Sequence, residues 1–92
     1  MTIARQTFEG LPVLALHAPD GARAVVALHG GHVLSWRAAG SDQELLYLSP
    51  RSLFADGQPI RGGIPVVFPQ FSERGPLLRH GFVRTRSWQL LG

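Results

Sequence analysis

Arg61 is followed by two glycines, in the stretch Pro59-Ile60-Arg61-Gly62-Gly63-Ile64-Pro65. A guanidinium is a planar fork that matches two oxygens of a phosphate or carboxylate at once. Adjacent glycines let main chain pass close to a ligand held by that fork, and a charged hydrogen bond of this kind contributes about 1.5–3 kcal/mol. The same residues would also make a plain turn with a solvated arginine, so the local pattern leaves both readings open. A second cluster, Arg79-His80-Gly81-Phe82-Val83-Arg84, adds two cations and one imidazole, the side chain suited to giving or taking a proton near neutral pH.

Alternation along residues 82–91, taken as a strand, puts Phe82, Arg84, Arg86, Trp88 and Leu90 on one side. Two arginines sharing a face with two aromatic rings suit the rim of a pocket for an anionic, ring-shaped ligand. An edge strand with solvated arginines fits the same pattern. His29-Gly30-Gly31-His32 invites a metal, because two histidines three apart can ligate zinc. A zinc site needs a third ligand, and no acidic residue lies within several positions. The glycines argue instead for a turn between strands, and no metal is expected. His17, at the end of an apolar strand, reads as a packed or surface histidine, and Gly-Gly without a following lysine is not a phosphate loop.

Those residues must be positioned by something, and the pattern around them is β. Leu11, Val13 and Ala15 alternate with Leu14 and Leu16 over residues 11–17, and short apolar runs follow at 22–28, 33–37 and 44–48. Pro19-Asp20-Gly21, Gly30-Gly31, Gly40-Ser41-Asp42 and Asp56-Gly57 punctuate them as turns. Strand-length pieces at this spacing indicate an all-β sandwich or barrel. The one helix candidate, residues 50–54, is too short to change that class. Residues 57–71 are apolar but carry three prolines, so they cannot be a regular central strand. An extended, irregular segment of this kind suits a cleft wall. Residues 72–79 form a polar loop broken at Gly75-Pro76.

Composition narrows the function classes. The chain has 92 residues, 45% hydrophobic, with no cysteine. Disorder, a disulfide framework and a thiolate metal site are therefore not expected. No apolar run approaches the ~18 residues of a membrane span, and the first residues lack a secretory pattern; a cytoplasmic location without membrane contact is expected. The net charge is +3, carried by nine arginines and no lysine, five of them between Arg61 and Arg86. Arginines and aromatics interleave there as in single-strand nucleic-acid binders, but so small a net charge argues against nucleic acid.

Taken together, these segments resemble the D-hexose-6-phosphate mutarotases of the aldose 1-epimerase superfamily. The resemblance lies in GGHVLSW at residues 30–36, ELLYLSP at 44–50, IRGGIPVVFPQF at 60–71, HGFVR at 80–84 and SWQL at 87–90. It covers nearly the whole chain and implies the N-terminal portion of a galactose-mutarotase-like antiparallel β-sandwich, with residues 1–92 a single partial domain. It implies interconversion of the α and β anomers of a hexose 6-phosphate without a cofactor. Arg61 and Arg84 match the family's anion-binding arginines, and His80 reads as a binder of a sugar hydroxyl, since the family's acid is a later histidine. Arg79 stands where the family commonly has a glutamine that helps hold the sugar, and a third cation there would still favour a phosphate. The family's catalytic histidine and glutamate lie downstream of the HGFVR motif, outside these residues. The expected substrate-binding set is Arg61, Arg79, His80 and Arg84, in a protein that is a monomer at full length. A non-catalytic sugar-phosphate-binding or regulatory module is the alternative, and the 92-residue chain alone is expected to be inactive.

Overall fold

The computed structural model describes residues 1–50, 54, 58–68, 71–77 and 79–91. Among them, the regular structure is a four-stranded antiparallel meander in the order β1-β2-β3-β4. β1 is Thr2–Phe8, β2 Leu11–His17, β3 Arg23–Ala27 and β4 His32–Arg37. A single 3-10 turn, Val83–Thr85, is the only helical element described. The all-β class holds, and none of the described helices is long and apolar enough to cross a membrane.

Each hairpin follows from its turn chemistry. Glu9 and Gly10 both have positive φ, 50° and 84°, the signature of a two-residue connection whose twist matches that of the flanking strands. Phe8 therefore pairs with Leu11, and the register runs on to Thr2 opposite His17. Between β2 and β3 the carbonyl of Ala18 accepts from Gly21 N–H at 3.0 Å, and Asp20 Oδ1 accepts from Ala22 N–H at 2.9 Å. Proline, aspartate and glycine at 19–21 suit that turn. The β3–β4 register shifts between Val25 and Val26, a bulge opposite Leu34. Leu34 is turned into the core and is only 1% exposed. The core itself is Leu11, Val13, Ala27, Leu34 and Ile60, with Phe8, Val25, Leu48 and Phe54 packed against it.

One strand was not anticipated, and two expectations are corrected. β1 is a strand that composition concealed: all of it except Phe8 is exposed, and its stability comes from pairing with β2. Residues 44–48 are not a strand, since only an isolated bridge between Leu48 and Gly62 forms there. Residues 82–91 are not a strand either. His80 and Gly81 take positive φ, 60° and 70°, and the chain then enters the 3-10 turn. A left-handed pair followed by a tight turn cannot continue into a ladder, so the alternation of Phe82, Arg84, Arg86 and Trp88 on one face does not exist. Arg86 lies over the Phe82 ring at 5.4 Å instead. The helix candidate at 50–54 and the turn at Asp56-Gly57 fall largely or wholly outside the described residues.

Glu44 explains why residues 44–48 stay irregular. Its carboxylate accepts from Trp36 N–H at 2.9 Å, from Leu46 N–H at 3.0 Å and from the Ser35 hydroxyl. A side chain thus takes the place of a strand partner beside β4, with Arg37 3.8 Å away. Desolvation works against the charged form, but these hydrogen bonds and Arg37 outweigh it and hold the carboxyl below its ordinary value of 4.5. A depressed folded-state value means the stabilisation is complete above the unfolded value and lost as pH falls through the folded one. Glu44→Gln should lower the unfolding free energy of the complete protein by about 1 kcal/mol at pH 7, the charged hydrogen bonds being discounted for exposure. Denaturant melts at pH 7 and pH 3 test this, since the gap between variant and natural protein should shrink at the lower pH.

Candidate functional site

The turn between β3 and β4 is where the irregular parts of the chain meet the sheet. Gly30 and Gly31 both take positive φ, 73° and 60°, which lets His29 and His32 turn inward to 2% and 1% exposure. His29 Nε2–H donates to the Gln58 carbonyl and His32 Nε2–H to the Gly62 carbonyl, each at 2.6 Å. The same turn holds the segment after the 3-10 turn through its main chain. Gly30 N–H donates to the Arg86 carbonyl and Trp88 N–H to the Leu28 carbonyl, both at 2.6 Å. Two segments rich in proline or in tight turns, both short of ladder partners, are thus fastened to one four-residue turn.

Arg61, His80 and Arg84 are brought together by this arrangement. They line an open cleft of about 520 Å³ whose other walls are Ile60, Gly62, Gly63, Pro65, Val67 and Phe71. Arg79, the fourth expected residue, does not line it. It is exposed, and its carbonyl faces Arg84 Nη2 at 3.4 Å. Its charge still reaches the site: burial first, then the positive charges of Arg61 and Arg79, hold the Arg84 guanidinium below its ordinary value. Arg84 Nε is buried with no hydrogen-bond partner among the described residues. A cluster of like charges with an unmet buried donor is an arrangement that an anion would relieve.

His80 is fixed in one tautomer. Ser72 N–H donates to its Nδ1 at 2.9 Å, while His80 N–H donates to the Ser72 carbonyl at 2.9 Å. A backbone N–H only donates, so Nδ1 carries the lone pair and the ring proton sits on Nε2. The Phe71 ring packs beside the imidazole at 5.2 Å. The result is a rigid N–H donor beside two guanidinium groups above an apolar floor. This set can hold an anionic ligand with a hydroxyl-bearing ring; no carboxylate lines the cleft among the described residues.

The glycines of the Arg-Gly-Gly motif do something other than approach a ligand. Gly62 and Gly63 have φ of 104° and 62°. A Cβ on Gly62 would collide with the Tyr47 carbonyl, and one on Gly63 with the Val33 carbonyl. They are glycines because protein backbone passes behind the cleft wall. His29 and His32, set aside as metal ligands, are contributors the motif reading missed. Two histidines flanking a Gly-Gly turn beside a proline-rich segment were the available signal. No group of three potential metal-ligating side chains exists among the described residues.

An antiparallel meander agrees with the comparisons with known proteins. The aldose 1-epimerase family model matches residues 12–92, and the chain belongs to that family. It is 40% identical over 85 residues to a protein of Cenchrus ciliaris, covering 92% of this chain and 26% of the relative. It is 38% identical over 91 residues to one of Escherichia coli, covering 96% and 30%. Both are named "putative glucose-6-phosphate 1-epimerase". The crystal structure of a "putative mutarotase" from Salmonella typhimurium superposes with a TM-score of 0.81 at 34% identity, over 98% of this chain and 30% of that one. The chain thus spans about 30% of the length of the relatives it matches.

The two glycine environments make a paired test. Gly62→Ala combines a left-handed backbone with a collision against main chain and should cost the complete protein about 2 kcal/mol or more. Gly40→Ala, at φ 73° with nothing within 4 Å, should cost only the backbone penalty of about 1 kcal/mol. Equal losses in chemical denaturation would show that the Tyr47 contact does not constrain Gly62.

Proposed function

We propose that the complete protein interconverts the α and β anomers of a hexose 6-phosphate and that this segment holds the phosphate and part of the sugar. The observation that carries the reading is the convergence of Arg61 and Arg84 on one cleft with the His80 N–H. Ring opening needs a base to remove the C1 hydroxyl proton and an acid to protonate the ring oxygen; reclosure on the other face reverses both transfers. On this reading the cleft residues bind rather than transfer protons, and the acid–base pair belongs to a later part of the complete protein. A phosphate at C6 would sit on the guanidinium groups, and the apolar floor would face the ring. The names of the relatives support the substrate class.

The absence of a carboxylate among the described cleft residues favours binding as the whole role of this segment. On the alternative reading the complete protein would bind a hexose 6-phosphate without accelerating mutarotation. Polarimetry or NMR exchange of the anomers, alongside calorimetric binding, separates the two.

Arg61→Ala and Arg84→Ala should each raise KM for the 6-phosphate by roughly ten- to hundredfold, the equivalent of a charge-assisted hydrogen bond of about 1.5–3 kcal/mol. Turnover of the plain hexose should change much less. Equal losses on both sugars would mean that these arginines do not read the phosphate.

His80→Asn places an oxygen where Nδ1 accepts from Ser72, and asparagine tolerates positive φ, but it removes the Nε2–H donor. It should raise KM more than it lowers kcat, the pattern of lost uniform binding. A fall in kcat of about a hundredfold at unchanged KM would assign His80 the proton-donor role instead.

A further inference from the structure

We propose that His32 is a positioning residue for the anion site: its buried Nε2–H, bonded to the Gly62 carbonyl, fixes the stretch of chain from which Arg61 reaches into the cleft. The proposal deepens the sugar-phosphate reading and rests on it. Gly62 directly follows Arg61, so the peptide carrying the Arg61 guanidinium is tied to the sheet one residue away. His29 ties the same segment at Gln58. Ile60, between the two ties, is 4% exposed and belongs to the core cluster. Arg61 itself is exposed, so its backbone is held while its side chain stays accessible to a ligand.

The backbone contacts of this segment show what the imidazole adds. Ser49 N–H donates to the Arg61 carbonyl at 2.9 Å, Gly63 N–H to the Tyr47 carbonyl at 2.7 Å, and Ile64 pairs with Val33. The Gly62 carbonyl points the other way, towards the turn, where Gly30 and Gly31 bring no side chains. The donor that reaches it comes from β4, whose first residue is His32. Burial is the main cause holding His32 below its ordinary value, the Gly62 hydrogen bond opposes it, and the charges of His29 and Arg84 lower it further. The ring is therefore neutral, and its one proton is committed to Gly62. Its Nδ1 has no partner among the described residues, which is the expected cost of using the ring in a single orientation.

The test compares two neutral amides in the complete protein. His32→Gln puts an N–H near the position of Nε2, whereas the shorter His32→Asn reaches only as far as Nδ1. His32→Asn should raise KM for the hexose 6-phosphate, and the Kd for inorganic phosphate, by about tenfold. His32→Gln should stay within about threefold of the natural protein, and kcat should move less than twofold in both. Equal effects of the two amides, or a loss confined to kcat, would overturn the positioning role. Should both variants fail to fold, nitrogen NMR of the natural protein decides. A proton on Nε2 is required, and a proton on Nδ1 would overturn the proposal. If the natural protein binds inorganic phosphate but the His32→Asn variant binds it equally well, only the clamp falls. If the natural protein binds neither phosphate nor a hexose phosphate, the sugar-phosphate reading falls and takes the clamp with it.

Discussion

A buried N–H left without an acceptor costs about 1–3 kcal/mol, and the two buried imidazoles of the β3–β4 turn impose that constraint on the irregular segment beside the sheet. Residues 58–68 carry prolines at 59 and 65, so they can neither form a continuous ladder nor satisfy one another. The two imidazoles turned inward at the β3–β4 turn meet the requirement by donating their N–H groups to the Gln58 and Gly62 carbonyls. The glycines between them leave room for the second irregular segment. A Cβ on Gly30 would strike the Arg84 main chain, and one on Gly31 would meet the Trp88 ring at 2.7 Å. Four residues therefore decide where both guanidinium-bearing segments lie.

That common anchor accounts for an arrangement that electrostatics would otherwise oppose. Arg61, Arg79 and Arg84 disfavour one another, and the effect registers on Arg84. Like charges come together in a protein when something stronger places the backbone, here the turn and the core residue Ile60. The strain is then available to a ligand: an anion bound there would remove repulsion as it formed hydrogen bonds. His80 follows the same logic by different means. Its left-handed backbone and its paired hydrogen bonds with Ser72 hold the ring still, so its free N–H is aimed before any ligand arrives.

The regular sheet was legible where residues alternate and turns are explicit. β2, β3 and β4 emerge from the apolar runs at 11–17, 22–28 and 33–37, and the Pro19-Asp20-Gly21 turn forms as its composition dictates. β1 escaped because an edge strand needs pairing more than burial, and a Glu-Gly turn is a weak hairpin signal. Residues 44–48 and 82–91 misled for the opposite reason. Their apolar content is real, but Glu44 replaces a strand partner in one, and His80 with Gly81 turns the chain out of extension in the other. Arg61, His80 and Arg84, expected from residue type and motif resemblance, do come together on one cleft, but not through strand periodicity. The periodic argument put Arg84 and Arg86 on one face, whereas Arg84 lines the cleft and Arg86 stacks on Phe82. Strand alternation says nothing about where an irregular segment points its side chains.

On the sugar-phosphate reading, a segment that binds without transferring protons is a sensible division of labour. The phosphate sits on C6, whereas bond making and breaking occur at C1 and the ring oxygen on the far side of the pyranose. Binding energy gained at a remote, unreacting group accelerates a reaction only when it is used to orient or distort the reacting centre. That requires an anchor that does not yield. A guanidinium on a mobile loop would gain affinity and give it back as lost order, about 0.5–1.5 kcal/mol for each immobilised side chain. The ties from His29 and His32 to the segment bearing Arg61, and from Gly30 to the segment following Arg84, fix the backbone on folding rather than on binding. The arginines then need to order only their side chains, and more of the phosphate's binding energy remains to orient the anomeric carbon.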